Sequence, residues 1–290
     1  MKLKLKQFQL RFLFLFFLAT APTASEAAAA EPLRNVLVVS IDALHPDALG
    51  PEASPAIAGM MRQGAFTLNG QSTDPPLTLL AHTSMFTGLA PEENGKTDNG
   101  WQPGMPTVAK PTLFDAAKSR DFQTGYFYSK MKLGYLVNDA VDVHRLSKEF
   151  AVDDAFPFFQ TPGRHFVFLH ISGLDYVGPA SGWLSAAYLE ELGSIDETLG
   201  PLFASIMEAG NYLIVVTSDH AGHDRIHGSD HPEDARLPLV LASDRLDLKA
   251  FQDIDYSVLD LKPMLTKFLG VDGSPPEWRP GKKLSMRSGR

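Results

Sequence analysis

The chain has 290 residues, 44% of them hydrophobic and 21% charged, with a formal net charge of −8 at pH 7. These are globular values that exclude intrinsic disorder and suit an α/β domain of about 250 residues around one core. The absence of cysteine excludes disulfides and thiolate metal sites.

Four cations open the chain (Lys2, Lys4, Lys6 and Arg11), followed by the apolar run FLFLFFLA and by small residues from Ala19 to Ala30. Residues 1–30 therefore read as a secretory signal peptide with a short linker, cleaved after Ala21 or Ala29. About ten apolar residues are too few for the ~20 that span a bilayer. Cleavage removes those four positive charges and the one negative charge of Glu26, taking the net charge from −8 to −11. Residues 31–290 are then expected to be a single mature domain, periplasmic or secreted, with no transmembrane segment. A domain so acidic is a poor match for a nucleic acid duplex.

The first element of that domain is the run NVLVVSID over 35–42, apolar without alternation like a buried parallel strand and ending in Asp42. A helix is expected over 54–64, closed by Gly64. Pro75 and Pro76 then stop the chain, and Thr78 stands where the helix LLAHTSMFTGL would begin. Its hydroxyl suits an N-cap. Equally, helix-start amides bind anions, and a hydroxyl there beside a divalent cation becomes a nucleophile.

A second helix is expected over 112–122 and a strand over 123–129, with Lys130 and Lys132 just beyond its end; solvated lysines outnumber phosphate-binding ones. The run over 164–171 is a further buried strand, with Asp175 a few residues past it. An amphipathic helix over 185–210 carries Gly200-Pro201 as a break. The strand over 212–218 runs into Asp219, His220, His223 and His227. Imidazole and carboxylate are the ligands zinc prefers. The histidine spacing also fits one helical face, but Gly222, Gly228 and Pro232 argue against a helix there. A strand over 237–243 and a helix over 257–270, with a kink or restart at Pro263, close the domain. The tail over 281–290 is a basic end without chemistry. Alternating strands and helices imply a mostly parallel sheet covered on both faces, and Phe156, Phe158 and Phe159 are expected to pack as core or loop.

The order of these motifs resembles the alkaline phosphatase superfamily, in particular its nucleotide pyrophosphatase/phosphodiesterase branch, over about residues 35–270. The matching positions are Asp42, Thr78 with His82, Thr87-Gly88, Asp98-Asn99, Asp175 with Gly178, Asp219-His220, and His227. The resemblance implies a three-layer α/β/α sandwich. It also implies one zinc held by Asp42, Thr78, Asp219 and His220, and a second held by Asp175 and His227. Manganese and iron are alternatives of the same ligand chemistry. Thr78 would attack phosphorus, and Asn99 would bind a phosphate oxygen together with the Thr78 backbone. The substrate implied is small, phosphorylated and nucleotide-like.

Pro179 departs from the pattern, standing where the family has a second-metal histidine, and proline cannot ligate. His223, His231 or water are candidates to fill the gap, whereas His170, inside a strand, is not expected to. Ala221 replaces a glycine, and Leu80-Ala81 a Pro-Asn pair. His45, three residues past Asp42, is a candidate to support the ligands. The leading expectation is an exported metal-dependent phosphodiesterase or nucleotide pyrophosphatase. Two alternatives are a catalytically impaired member that binds a phosphorylated ligand, and a phosphomonoesterase or phosphonate hydrolase. A formylglycine sulfatase is excluded, because Thr78 cannot be oxidised to that aldehyde.

Overall fold

The computed structural model describes residues 32–271; the expected signal peptide over 1–30 and the basic tail over 281–290 lie outside the described residues. Seven strands form one sheet: β1 (Asn35–Ile41), β2 (Ala65–Gln71), β3 (Gln123–Tyr128), β4 (Val143–Leu146), β5 (His165–Ile171), β6 (Tyr212–Thr217) and β7 (Arg236–Ser243). Their order is β2-β7-β6-β1-β5-β3-β4. The five strands from β6 to β4 run parallel, and β7 lies antiparallel to both its neighbours. The helices are α1 (Pro55–Gln63), α2 (Thr78–Thr87), α3 (Pro91–Asn94), α4 (Leu113–Lys118), α5 (Ala151–Ala155), α6 (Gly173–Ser181), α7 (Ala186–Ala209) and α8 (Leu261–Phe268).

Strands with no polar alternation need cover on both faces, and β1 shows how it is met. Val36 and Val38 join Phe166, Phe168 and Val215 beneath α2, α4 and α8. Leu37, Val39 and Ile41 join Val167, Leu169 and Val216 beneath α1, α5 and α7. The result is the expected α/β/α sandwich, with Phe156, Phe158 and Phe159 packed against the second core.

Two helices differ from expectation, and a third restarts as expected. Helix α7 runs unbroken through Gly200 and Pro201. An interior proline costs about 3 kcal/mol, but Tyr188, Leu192, Ile195, Leu199, Leu202 and Ile206 form one buried stripe that a break would disrupt. Helix α4 ends at Lys118 rather than at 122, with Ser119 as its C-cap. Over 257–270 the helix does restart: a short 3-10 turn precedes α8. Pro263 falls in the first turn of α8, where a missing N–H leaves no bond unmade.

Strands β6, β1, β5 and β3 are parallel neighbours, so their carboxyl ends share one edge. Asp219, Asp42, Asp175 and Lys130 all lie within a few residues beyond those ends. Open α/β sheets place their sites on this edge.

Candidate functional site

The turn after β1 opens the site. Asp42 follows Ile41 directly, and Ala43 turns the chain with a left-handed φ of 64°. For an alanine that conformation costs on the order of 1–2 kcal/mol. It is held by three bonds: Ala43 N–H donates to Asp219 Oδ1 (3.2 Å), while its carbonyl accepts from Tyr188 Oη (2.6 Å) and Trp183 Nε1 (3.3 Å). The residues beyond β1 and β6 are thereby locked together.

Four acidic or imidazole side chains at this edge each have one polar atom pinned and one left over. Asp219 Oδ1 accepts from Ala43, and its Oδ2 makes no hydrogen bond. Asp42 Oδ2 accepts from His170 Nε2 at 3.0 Å, and its Oδ1 is unpartnered. His220 Nδ1 donates to the Ala221 carbonyl at 2.9 Å, leaving Nε2 unpartnered. Asp175, in the first turn of α6, accepts from Lys130 Nζ through Oδ2, and Oδ1 is unpartnered. These four free atoms converge. His220 Nε2 lies 3.2 Å from Asp42 Oδ1, 3.6 Å from Asp219 Oδ2 and 3.6 Å from Asp175 Oδ1. His227 stacks on His220 with ring centroids 4.8 Å apart, its Nε2 3.5 Å from Asp175 Oδ1.

Burying polar atoms without partners is costly, so four in one place call for a guest. A cation satisfies that demand, and two overlapping triads could hold one: Asp42 with Asp219 and His220, and Asp175 with His220 and His227. The donor set of carboxylates and imidazoles suits zinc. The electrostatics agree. Burial opposes a charged His220, yet Asp219 and Asp42 pull its imidazole up to about 9. His227 is pushed below its ordinary value by burial and by its neighbour His220.

Thr78 is the first residue of α2, after Leu77 as N-cap, and its hydroxyl makes no capping bond. That removes the N-cap reading; the hydroxyl oxygen instead accepts a long hydrogen bond from Lys130 Nζ at 3.5 Å. Its carbonyl accepts from His82 Nδ1 at 2.8 Å, while His82 Nε2 accepts from Ser40 Oγ at 2.9 Å. Burial pushes the His82 imidazole down to about 4, so it is a neutral brace rather than a charge. Asn99 approaches the start of α2: its Oδ1 accepts from Leu79 N–H (2.9 Å) and from Lys132 Nζ (3.1 Å). The amide nitrogen is left to bind elsewhere. Lys96, itself buried, fixes this loop through the Gly100 carbonyl at 2.6 Å and the Asp98 carboxylate at 3.1 and 3.2 Å.

Lys130 is no solvated lysine. Its side chain is only 11% exposed and its Nζ lies 2.6 Å from both Asp42 Oδ2 and Asp175 Oδ2, and 3.5 Å from Thr78 Oγ1. Burial alone would lower its pKa; Asp42, Asp175 and Asp219 instead raise it above the ordinary lysine value. Burial likewise opposes ionisation of Asp42, but Lys130, His170 and His220 hold that carboxyl well below the usual range.

Other candidates fall elsewhere. His223 and His231 do not fill the gap left by Pro179: they stack on each other at 3.8 Å, and His223 Nδ1 donates to Asp234 Oδ1 at 2.7 Å. His45 faces Glu233 at 2.8 Å and supports the loop rather than a ligand. His170 stays within its strand, as expected, yet braces Asp42 from there. Its Nδ1 accepts from Ser129 N–H at 3.3 Å, so Nε2 is the nitrogen that donates to Asp42. Trp183 carried no sequence signal. Its indole fits against Gly178 and Gly222, where any Cβ would clash, and packs beside His227 with ring centroids 5.6 Å apart. A cavity of about 480 Å³ opens at the same sheet edge, lined by Ser129, Ile171, Ser172 and Tyr176 among others.

Over residues 36–235 the chain matches the family described as type I phosphodiesterase / nucleotide pyrophosphatase. Among solved structures it is similar to a 2-O GAG sulfatase, at 14% identity and a TM-score of 0.67, covering 82% of this chain and 71% of that one. It is also similar to the C-terminal periplasmic domain of EcEptC from Escherichia coli in complex with zinc (13% identity, TM-score 0.63, 82% and 83% covered). The lipoteichoic acid synthase LtaP from Listeria monocytogenes is a third likeness (15% identity, TM-score 0.61, 82% and 72% covered). No curated protein matches the chain.

Proposed function

The chain belongs to the type I phosphodiesterase/nucleotide pyrophosphatase family of the alkaline phosphatase superfamily, and from that premise we propose that it is an exported, metal-dependent phosphodiesterase with Thr78 as its nucleophile. Its substrate would be a small phosphodiester or phosphoanhydride, nucleotide-like in chemistry. The observation that carries this reading is the convergence of four buried, unpartnered ligand atoms near the Thr78 hydroxyl, which Lys130 Nζ approaches at 3.5 Å.

In this reading Asp42, Thr78, Asp219 and His220 hold one cation, with Asp175 and His227 the ligands available to a second; zinc fits the donor set, and manganese or iron are alternatives. When bound, the ion supplies positive charge that favours an ionised Thr78 and polarises a phosphoryl oxygen. Asn99, with Leu79 N–H and Lys132 fixing its carbonyl, offers its amide to a phosphate oxygen. The Thr78 backbone N–H, at the start of α2, offers a second donor. Thr78 Oγ1 gives up its proton and attacks phosphorus, one ester oxygen leaves and takes up a proton as an alcohol, and a threonine phosphodiester that keeps the other ester group forms. Attack by water breaks the Thr–O–P link, releases the monoester and restores the hydroxyl.

The test is turnover of bis(4-nitrophenyl) phosphate against 4-nitrophenyl phosphate, on chelated and on zinc-reconstituted protein. Turnover of the diester is expected to vanish on chelation, return with metal, and vanish again in Thr78→Ala with the circular dichroism spectrum unchanged. Undiminished turnover in that variant would refute the nucleophile. Pro179 favours a second reading, a family member that binds a phosphorylated ligand with little turnover. Zinc and a phosphate ligand bound without hydrolysis would select it.

A further inference from the structure

We infer that Lys130 takes the place of a second metal ion, so that the centre holds one divalent cation and one fixed ammonium. This rests on the reading of the centre as a metal site and settles how many ions that site accepts. The two carboxylates that Lys130 bridges, Asp42 and Asp175, belong to different ligand triads. Its ammonium sits on the Oδ2 atoms of both carboxylates, placing one fixed positive charge between the two triads.

Two further observations point the same way. First, the triads share a single atom, His220 Nε2, and one nitrogen lone pair ligates one ion. If His220 serves Asp42 and Asp219, the other triad keeps only Asp175 and His227, one of whose carboxylate oxygens already faces Lys130. Pro179 supplies nothing to repair it. Three protein ligands and an open position make a catalytic zinc site, whereas two ligands fall short of one. The spacing suits that single ion: ligands at about 2.0–2.2 Å in tetrahedral array stand about 3.3–3.6 Å apart, and His220 Nε2 lies 3.2 and 3.6 Å from Asp42 Oδ1 and Asp219 Oδ2.

Second, charge closes on the same count. The three carboxylates of Asp42, Asp175 and Asp219 are balanced by the Lys130 ammonium and one divalent ion, while a second divalent ion would leave a positive excess packed against a buried lysine. Lys130 Nζ also lies 3.5 Å from Thr78 Oγ1, close enough to stabilise negative charge on that oxygen as a second cation would.

The experiment is metal stoichiometry by elemental analysis, on the full chain equilibrated with excess zinc and then desalted. Wild type is expected to hold one equivalent, and two equivalents would overturn the inference while leaving the metallohydrolase reading intact. No bound metal together with no diester turnover would instead overturn that parent reading, and the inference with it. Lys130→Met combined with Pro179→His frees Asp175 Oδ2 and supplies the missing third ligand, and is expected to rise to two equivalents; a folded double variant that stays at one refutes the exclusion. Should that variant fail to fold, Pro179→His decides. It restores an imidazole but keeps the lysine, and is expected to remain at one equivalent, with two counting against the inference.

Discussion

Asp42 shows how the site is built one side chain at a time. His170 and Lys130 hold Oδ2, which leaves Oδ1 facing the centre. Groups that orient a ligand in this way typically contribute 10–100-fold in metal affinity. His170→Ala is therefore expected to weaken zinc binding about 10–100-fold in a calorimetric titration, and His170→Gln, whose amide can still donate, to lose less. Equal affinity in all three proteins would show that Asp42 needs no such brace. At this scale the sequence was partly legible. Asp42, Asp219 and His220 announce themselves because each follows a strand of unbroken hydrophobicity. The bracing residues do not: a histidine inside a strand reads as core, a lysine after a strand reads as solvated, and Trp183 reaches His227 only through the fold.

Between elements, the loop after β1 is tied to the start of β7 by a charged clamp. Arg236 donates to both oxygens of Asp47 at 2.8 and 2.7 Å and to Glu233 Oε2 at 2.8 Å, with His45 on the same Glu233 oxygen. The Arg236 hydrogen bonds hold both carboxyls below their ordinary values. Groups whose folded pKa is depressed contribute stability above their unfolded pKa, about 4, and lose it as pH falls through the folded value. Arg236→Ala is thus expected to lower stability at pH 7 by up to about 1 kcal/mol, a partly exposed clamp being worth no more. The gap from wild type should close in acid strong enough to protonate both carboxyls in the folded state. Thermal melts at pH 7 and in such acid check this, and a gap that persists undiminished in acid would show packing rather than charge. Helix α7 taught the opposite lesson to the strands: Gly200-Pro201 looked like a break, and a long buried stripe overrode it.

Taken whole, the molecule brings four distant segments to one edge because β6, β1, β5 and β3 are parallel neighbours. The alternation of strands and helices could be read from hydrophobicity, and so could a sheet covered on both faces. Strand order could not, since it is decided by which faces pack and not by any local pattern; the weakly patterned β2 and the exposed β4 went unseen for the same reason. Among the described residues no helix is long and apolar enough to cross a membrane. Anomalous X-ray scattering at the zinc edge, from crystals of zinc-reconstituted protein, tests most directly whether this edge is a metal centre. An ordered ion is expected among Asp42, Asp219 and His220, within reach of Thr78. An ion bound instead at His223, His231 and Asp234, with none beside Thr78, would contradict it.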